Sequence, residues 1–542
     1  MPRVIVLDTL SQDGLDLLAA AKVWGIEYEV RTGLKGDALK DALTQFDGAI
    51  CRSGVKLTSD ILAGNHRLRA IVRAGVGTDN IDKEAATRLG IVVMNTPAGN
   101  TLSTAEHTFA MMLALSRNIH PAYQSLIEHR WDRGKYMGTQ LAEKVLGIIG
   151  LGRIGQAIAK RAKAFEMRVV GYDPFMSAEK TAELGVEPAE SIQALLPQVD
   201  YLTVHTPLTD ETRNMIDRRS IPLLKPGIRL VNCARGGIYN EADLAEAVQA
   251  GKIAGVALDV FETEPNTESP LFGLPGVLCT PHLGASTEEA QTQVAVEGVG
   301  LLVDFLTTGA IKHAVNMSPL DAKTLENMRG DLDLAYRLGL LLSQFDRGVP
   351  KRCVLHYRGD VANKDTKLLT SAFATGLLET ALDEAINIVN AEVLLRERGI
   401  ELVEQRRADT AAFSSTITAE VIGDRESHKA TGTIFGQNMP RLVQLDDHRL
   451  EAYMDGILLV FMHRDVPGII GRVGSIFGTH KVNIGQMSVG RAVPGGSAIG
   501  VLNLDQEPSA AALAEVLASP DITSVHVIKL PPAGQLPAWL QG

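Results

Sequence analysis

Three side chains of different chemistry follow one another in the middle of the chain and together suggest the oxidation of a hydroxy acid. They are Arg235 in NCARGG, Glu264 in DVFETEP and His282 in TPHLGAST. An imidazole can accept the proton of an alcohol near neutral pH, and a carboxylate can hold the imidazole in the required tautomer. The planar guanidinium of arginine binds a carboxylate through two hydrogen bonds. We therefore predict that these three residues are catalytic.

A glycine-rich turn precedes this set. Gly150, Gly152 and Gly155 lie in GLGRIG, between the apolar strand-like run KVLGII and the helical run QAIAKRAKAF. In this arrangement the N-terminus of the helix faces the pyrophosphate of a dinucleotide. Asp173 ends the next strand, RVVGYD, where an acid accepts hydrogen bonds from ribose hydroxyls and repels a 2′-phosphate. The pattern predicts NAD rather than NADP, although Asp173 could instead cap the turn that follows it.

Each catalytic candidate also has an ordinary structural explanation. His282 could be a satisfied structural histidine, Glu264 a loop carboxylate, and Arg235 a cap on nearby strand ends. Their order after a dinucleotide-binding unit favours the functional interpretation, and their convergence in space is an expectation.

The elements that must position these residues form two α/β units. Apolar runs alternate with helical stretches from residue 1 to 97 and again from KVLGII to TPHLG, a pattern typical of parallel sheets. Residues 318–455 combine helical and strand-like stretches and predict an α+β domain. Residues 456–531 predict a small βαββαβ module, and residues 532–542 form a tail to which we assign no function.

Composition excludes several other classes of protein. The 542 residues carry a formal net charge of −11, and lysine and arginine are scattered, so we expect no nucleic-acid partner. The four cysteines lie far apart without metal-binding spacing, so we expect neither disulfides nor a bound metal. Neither a signal peptide nor a membrane-spanning run is evident, so we expect a cytoplasmic protein.

Several longer segments resemble the D-isomer-specific 2-hydroxyacid dehydrogenases. They are RSGVKLT, RAGVGTDNID, NTPAGNTLSTAEH, GLGRIG, NCARGG, ALDVFETEP and TPHLGAST. The resemblance implies a doubly wound, Rossmann-like NAD lobe, residues 98–285, inserted into a flavodoxin-like substrate lobe formed by residues 1–97 and 286–317. The substrate cleft of this family lies between the two lobes.

The resemblance also implies site residues and a reaction. For NAD it implies Thr78, Gly150, Gly152, Arg153, Ile154, Gly155, Asp173, Thr206, Cys233 and Asp259. For substrate it implies Arg52, Ser53, Gly75 and Asn100, with Arg133 reaching the neighbouring subunit's site. Cys233 could instead be a small buried apolar residue, and Arg133 could belong to a solvated helix end. The implied reaction is the NAD-dependent oxidation of 3-phosphoglycerate to 3-phosphohydroxypyruvate, which begins serine biosynthesis.

The C-terminal module, residues 456–531, resembles an ACT domain, a small-molecule sensor that pairs across subunits. His463, Asp465 and Asn483 occupy the positions that bind serine in feedback-inhibited relatives, so the resemblance implies serine as the effector. Residues 318–455 resemble the intervening domain of the family's long form, which is either a second anion site or a spacer. The resemblance further implies a homo-oligomer, with a dimer through the NAD lobe and a tetramer through the C-terminal domains.

Two other functions remain open from the sequence. One is a broader D-2-hydroxyacid dehydrogenase such as a hydroxypyruvate or glyoxylate reductase, which would not need a C-terminal sensor. The other is a binding protein that senses NAD on the same fold, which the presence of Arg235, Glu264 and His282 disfavours.

Overall fold

The structure is a computed structural model that describes residues 1–345, 348–382, 386–410, 412–424, 426–436 and 438–537. The last residues of the predicted tail, 538–542, lie outside the described residues. The chain divides into two compact units. Apart from residues 11–13, the second unit consists of residues 96–297, and the first unit contains the remainder. Among the described residues, no helix combines the length and apolar character needed to span a membrane.

The first unit begins with a five-stranded parallel sheet. Its strands and helices are β1 (Arg3–Val6), α1 (Gln12–Ala20), β2 (Glu27–Val30), α2 (Gly36–Leu43), β3 (Gly48–Cys51), α3 (Ser59–Leu62), β4 (Ala70–Arg73), α4 (Lys83–Arg88) and β5 (Val92–Asn95). The strand order β2-β1-β3-β4-β5 is that of flavodoxin-like folds. Every residue of β3 is buried, as expected for a central strand covered on both faces. Every residue of β5 is buried as well, although β5 is an edge strand, and a bridge between Met94 and Ala314 lies along that edge.

The second unit contains a seven-stranded parallel sheet. Its elements are α5 (Thr101–Ser116), α6 (Ile119–Ile127), β6 (Val145–Ile149), α7 (Arg153–Ala164), β7 (Arg168–Tyr172), α8 (Ala178–Glu183), β8 (Glu187–Pro188), α9 (Ile192–Leu195), β9 (Tyr201–Val204), β10 (Ile228–Asn232), α10 (Glu241–Gln249), β11 (Ile253–Leu258) and β12 (Val277–Cys279). The order β12-β11-β10-β9-β6-β7-β8 reverses direction between β6 and β9. In open α/β sheets, ligands bind outside the carboxyl ends of the strands at such a reversal.

Apolar side chains cover both faces of this sheet. Phe109 and Met112 of α5 and Ile158 of α7 belong to one buried cluster, whereas Leu244 and Ala247 of α10 belong to another. The helices are therefore held on the sheet by burial of apolar surface, and their loops remain available for a site.

The chain then returns to the first unit and forms a mixed sheet backed by helices. Helix α11 (Glu288–Thr308) comes first and packs against the five-stranded sheet, where Leu302 lies against Gly48 of β3. The mixed sheet and its helices are α12 (Ala322–Phe345), β13 (Pro350–Gly359), α13 (Thr366–Glu379), α14 (Ala391–Glu397), β14 (Glu401–Arg407), β15 (Ser415–Gly423), β16 (Ser427–Phe435), β17 (Met439–Leu445) and β18 (His448–Tyr453). Strands β13 and β14 are parallel, and the other neighbouring pairs are antiparallel. Helices α12 and α13 pack closely: a Cβ at Gly376 would lie 2.1 Å from the carbonyl oxygen of Tyr336.

The last module is a four-stranded antiparallel sheet with two helices. Its elements are β19 (Ile457–Arg464), α15 (Ile469–Thr479), β20 (Ile484–Arg491), β21 (Ser497–Leu504), α16 (Ala510–Leu517) and β22 (Ile522–Lys529). Their order confirms the predicted βαββαβ arrangement, and the sheet order is β20-β21-β19-β22. The predicted fold class is confirmed as a whole: two parallel doubly wound sheets, an α+β domain and this module.

A buried arginine joins the last module to α12. Arg337 is 1% exposed, and its Nε donates to both carboxylate oxygens of Asp333, one turn earlier on the same helix. Its Nη1 donates to the carbonyls of Met454 and Pro531, which flank the module, and its Nη2 donates to Gln535 in the tail. One side chain thus binds both ends of the module.

Candidate active site

The glycine turn after β6 needs glycine for separate reasons at two positions. Gly150 has φ +90°, and a Cβ there would lie 2.5 Å from the carbonyl oxygen of His205. A Cβ at Gly155 would lie 2.1 Å from the carbonyl oxygen of Gly150, because α7 crosses the turn closely. The space above Gly152 is open to 4 Å. Helix α7 therefore presents the unpaired amides of its first turn to an open approach, which suits a pyrophosphate.

Asp173 follows β7, and its carboxylate connects the glycine turn with the turn that comes after β7. One carboxylate oxygen accepts a hydrogen bond from the N–H of Leu151 at 2.8 Å, and the other accepts from the N–H of Phe175 at 2.9 Å. The second bond is the turn cap that the sequence left open. A carboxylate can accept about four hydrogen bonds, so Asp173 retains acceptor capacity for ribose hydroxyls.

Other predicted NAD residues lie around this turn. Arg153 is exposed and Ile154 half-buried at the start of α7. Thr206 follows β9, and its hydroxyl is buried without a hydrogen-bond partner among the described residues. A buried hydroxyl without a partner costs free energy unless a ligand or water satisfies it, so Thr206 fits a bound cofactor. Thr78 belongs to the first unit, where it is buried.

His282 and Glu264 form the hydrogen-bonded pair that the sequence predicts. His282 Nδ1 lies 2.6 Å from Glu264 Oε2, and Glu264 Oε1 accepts from the N–H of Phe261 at 3.0 Å. Because a carboxylate only accepts, Nδ1 carries the hydrogen, and Nε2 can accept a proton. The hydrogen bond that His282 donates to Glu264 raises the pKa of His282, although burial of the imidazole acts in the opposite direction. Burial raises the pKa of Glu264, but the bonds from His282 and Phe261 outweigh it and hold that pKa below 4.5.

Arg235 lies close enough to influence this pair. Its positive charge lowers the pKa of His282, opposing Glu264. The loop that carries it is fixed by Asn232, whose side chain accepts from the N–H of Ala234 and donates to the Arg235 carbonyl. At Gly236, a Cβ would lie 1.8 Å from the carbonyl oxygen of Phe261, so this loop packs directly against the segment leading to Glu264. The structure thus brings the three predicted catalytic residues into one region.

Cys233 and Asp259 lie close to the His282–Glu264 pair. The Cys233 thiol is buried against the Met111 sulfur at 3.6 Å, and burial raises its pKa to about 12, so it is a neutral thiol. Asp259 is fully buried and binds the loop of His282. The atoms of His107, Cys233 and Asp259 that could ligate a metal ion lie within 4.8 Å of one another. Each of these atoms already has a hydrogen-bond partner in the protein. His107 did not emerge from the sequence, because its partners are remote along the chain.

The predicted substrate residues of the first unit follow two neighbouring strands. Arg52 and Ser53 come after β3, where the N–H of Arg52 donates to Asp8 at 2.6 Å. Gly75 comes after β4 with φ +147°, and a Cβ there would overlap the guanidinium of Arg73. Carboxyl ends of parallel strands meet at one edge of a sheet, so these residues share that edge. Arg73 is a cation that the sequence analysis did not single out, although it directly precedes AGVGTDNID.

The two predicted substrate residues of the second unit differ in setting. Asn100 precedes α5, and its side-chain oxygen is buried without a partner among the described residues. Arg133 is exposed at the start of a 3₁₀ turn. It is flanked by Trp131 and Met137, whose exposed fractions are 82% and 87%.

The predicted effector residues do not all meet within one chain. His463 is 4% exposed; its Nδ1 donates to the Arg464 carbonyl, and its Nε2 is buried without a partner among the described residues. Asp465 lies two residues after His463 and accepts from the N–H of Gly495 at 2.9 Å. The register pairs His463 with Ala498 on β21, whereas Asn483 precedes Ile484, which pairs with Leu504 at the other end of β21. Asn483 therefore lies at the opposite end of the sheet.

Three family models match separate parts of the chain. The NAD binding domain of D-isomer specific 2-hydroxyacid dehydrogenases matches residues 109–284, the D-3-phosphoglycerate dehydrogenase intervening domain matches residues 327–446, and the ACT domain matches residues 456–521. Together they cover the second unit's sheet, the mixed sheet except β18, and the last module except β22.

Known proteins of similar sequence match almost the whole chain. Proteins named D-3-phosphoglycerate dehydrogenase from Synechocystis and Bacillus subtilis are each 39% identical over 531 residues, which is 98% of this chain and 95% and 100% of theirs. Among solved structures, apo D-lactate dehydrogenase from Escherichia coli is 27% identical with a TM-score of 0.51, covering 58% of this chain and 99% of that chain.

Proposed function

Because the chain belongs to the D-isomer specific 2-hydroxyacid dehydrogenases, we propose that it is an NAD-dependent D-3-phosphoglycerate dehydrogenase. It oxidises 3-phosphoglycerate to 3-phosphohydroxypyruvate, the reaction that begins serine biosynthesis. The observation that carries this proposal is the His282–Glu264 hydrogen bond of 2.6 Å near Arg235, in a unit that also holds the glycine turn. Full-length similarity to proteins of that name supports the choice of substrate.

The chemistry follows from the three side chains. Arg235 binds the substrate carboxylate and orients C2, and His282 Nε2 accepts the proton of the C2 hydroxyl. NAD, when bound, accepts the hydride from C2. Glu264 stabilises the imidazolium that forms, because its negative charge lies next to Nδ1. In the reverse direction, the protonated His282 returns its proton to the carbonyl oxygen.

The substrate's phosphate requires additional cations. In the first unit, Arg52 and Arg73 lie at the same sheet edge as Ser53 and Gly75, so this edge suits a phosphorylated end. Arg133 contributes from a second copy of the chain. We expect Arg133→Ala to lose activity on 3-phosphoglycerate while keeping activity on an unphosphorylated 2-hydroxy acid. Equal loss on both substrates would contradict the assignment of Arg133 to the phosphate.

Two copies of the chain associate through the second unit. Trp131, Met137 and the α6 side chains Tyr123, Leu126 and Ile127 are all more than half exposed. Exposed apolar side chains concentrated in one segment mark an interaction site, and Arg133 lies in that segment between Trp131 and Met137, from which it enters the neighbouring copy's site.

The ACT module responds to serine. The buried, unpartnered Nε2 of His463 needs a hydrogen-bond partner, and an amino acid's charged groups suit His463, Asp465 and Asn483. Since Asn483 lies at the other end of the sheet, the site combines His463 and Asp465 of one copy with Asn483 of another. Millimolar serine should lower the oxidation rate and raise the melting temperature. If neither quantity changes with serine, the effector assignment fails.

One assay tests the overall proposal. Formation of NADH is measured at alkaline pH with 3-phosphoglycerate, D-glycerate and D-lactate as separate substrates. A clear preference for 3-phosphoglycerate is expected. Comparable rates with D-glycerate would indicate a broader 2-hydroxyacid dehydrogenase, and no turnover with any substrate despite NAD binding would indicate a binding protein.

A further inference from the structure

The loop that carries His282 has an unusual backbone. His282 has φ +55°, in the left-handed region that residues other than glycine adopt only at a cost. Its N–H donates to the carbonyls of Asp259 at 2.9 Å and Thr280 at 3.0 Å. Such a conformation persists only where the surrounding structure holds it, so the contacts of this loop determine where the imidazole points.

The carboxylate of Asp259 holds the loop on both sides of His282. It accepts the hydroxyl hydrogen of Thr280 at 2.6 Å, the N–H of Leu283 at 2.7 Å and the N–H of Gly284 at 2.8 Å. Burial raises the pKa of Asp259, but hydrogen bonds from His107, Thr280 and Leu283 outweigh it and keep the pKa below 3.8. The anchor is therefore an ionised, fully buried carboxylate.

His107 of α5 contacts this anchor from the other side. Its Nε2 lies 3.2 Å from Thr280 Oγ1 and 3.2 Å from Asp259 Oδ1. Thr280 gives its only hydroxyl hydrogen to Asp259, so its oxygen accepts from His107, and Nε2 of His107 carries a hydrogen. Two more hydroxyls of α5, those of Ser103 and Thr104, donate to the carbonyl of Gly284.

We propose that His107 is a positioning residue for the dehydrogenase reaction: through Asp259 and Thr280 it holds the His282 loop so that the imidazole faces Glu264. This inference rests on the proposed role of His282 as the base. It predicts that loss of the His107 hydrogen loosens the His282–Glu264 bond without removing either group.

The test compares His107→Leu, which removes the hydrogen-bond donor, with His107→Gln, which retains an N–H donor. In His107→Leu, kcat for oxidation should fall about 10- to 100-fold while Kd for NAD and KM stay near their original values. Rescue of kcat in His107→Gln is expected. His66→Leu, at an exposed histidine of the first unit, is the matched control and should leave kcat, KM and Kd for NAD unchanged.

The pH profile separates positioning from general stability. Oxidation requires neutral His282, so kcat/KM rises with pH through the pKa of His282. The charged groups of its unit that act on it are Glu264, Asp259 and Arg235. If the bond to Glu264 loosens, this pKa falls towards 6.5, and the rise in kcat/KM moves to lower pH. A variant that only has a lower melting temperature would keep the original pH dependence of kcat/KM.

The outcomes are distinguishable. A lower kcat with a shifted profile and rescue by His107→Gln supports the proposal; unchanged kcat, or a loss with an unshifted profile and no rescue, overturns it. Should His107→Leu not fold, Ser103→Ala removes another bond to the same loop and should shift the profile in the same direction.

His282→Ala, measured in parallel, should lose about 10²- to 10⁴-fold in kcat. If His282→Ala stays active, the base assignment itself fails; if it is inactive while His107→Leu is normal, only the positioning role fails.

Discussion

At the scale of single residues, the site is a balance of charges around one imidazole. Glu264 favours the protonated form of His282, whereas Arg235 and burial oppose it, and the net effect is a pKa above 6.5. In the proposed reaction, a raised pKa helps His282 to bind the hydroxyl proton. Glu264 would then tune the base in addition to orienting it.

Glu264→Gln tests this balance. Glutamine retains an oxygen that accepts from His282 Nδ1 but removes the negative charge, so the pKa of His282 should fall. Because oxidation needs the neutral imidazole, the pH at which kcat/KM reaches half its maximum should move downwards. The measurement is kcat/KM for oxidation across neutral and alkaline pH. A profile that does not move would show that Glu264 has no electrostatic effect on the base.

Asp173 should determine the choice of cofactor. Hydrogen bonds to a charged group contribute about 1.5–3 kcal/mol, so Asp173→Ala should lower kcat/KM for NAD about tenfold or more. Activity with NADP should fall less or rise, because the charge that repels the 2′-phosphate is absent. Asp173→Asn is the companion variant, since it retains an acceptor for the N–H groups of Leu151 and Phe175. An unchanged ratio of NAD to NADP activity in Asp173→Ala would exclude this role.

At the scale of elements, the structure depends on buried polar groups that join helices to distant segments. Arg337 is the clearest case, because it leaves α12 and binds carbonyls at both ends of the ACT module. Asp333 is buried, and burial raises its pKa despite the neighbouring guanidinium. An arginine suits this position because its planar fork donates several hydrogen bonds in fixed directions.

Arg337→Leu should strongly destabilise the junction between α12 and the ACT module. Removing one partner of a buried ion pair leaves an uncompensated charge and typically costs about 3–5 kcal/mol. We expect a lower urea midpoint for the transition that unfolds the ACT module, followed by the fluorescence of a label placed there. Arg396→Leu, on the exposed side of α14, is the control and should change the midpoint little. Equal midpoints for the two variants would show that Arg337 does not support the junction.

The elements also show what sequence could predict. The glycine turn was predictable because strand, turn and helix are adjacent between Val145 and Ala164. The role of His107 was not, because its partners Asp259 and Thr280 lie in other elements and only folding brings them together. Likewise, the separation of Asn483 from His463 follows from strand register, which is set by hydrogen bonding between strands.

At the scale of the whole molecule, the family and the fold class predicted from the sequence are confirmed, while the assembly stays a prediction. The exposed apolar surface around Trp131 is the physical reason to expect one. Fully burying a large apolar side chain stabilises by about 1.5–3 kcal/mol, so burial of several such side chains between two copies would favour association.

Substitution at this surface should dissociate the dimer. Trp131→Ser together with Met137→Ser should weaken the dimer at least about tenfold, since the lost contacts together remove more than about 1.4 kcal/mol. Sedimentation at several protein concentrations measures the change. Val23→Ser alters an exposed apolar residue of the first unit and should have no effect. If the unsubstituted protein, the double variant and Val23→Ser have the same mass at every concentration, that result would argue against this interface.

The opposite placement of His463 and Asn483 also has a consequence for genetics. Under the proposed pairing, a two-fold axis that joins His463 of one copy to Asn483 of the other would create two equivalent serine sites. Chains carrying His463→Ala and chains carrying Asn483→Ala should each lose the response to serine. In a mixed pair, however, one site lacks both residues and the other is complete. Co-expression of the two defective chains should therefore restore part of the response, which is intragenic complementation.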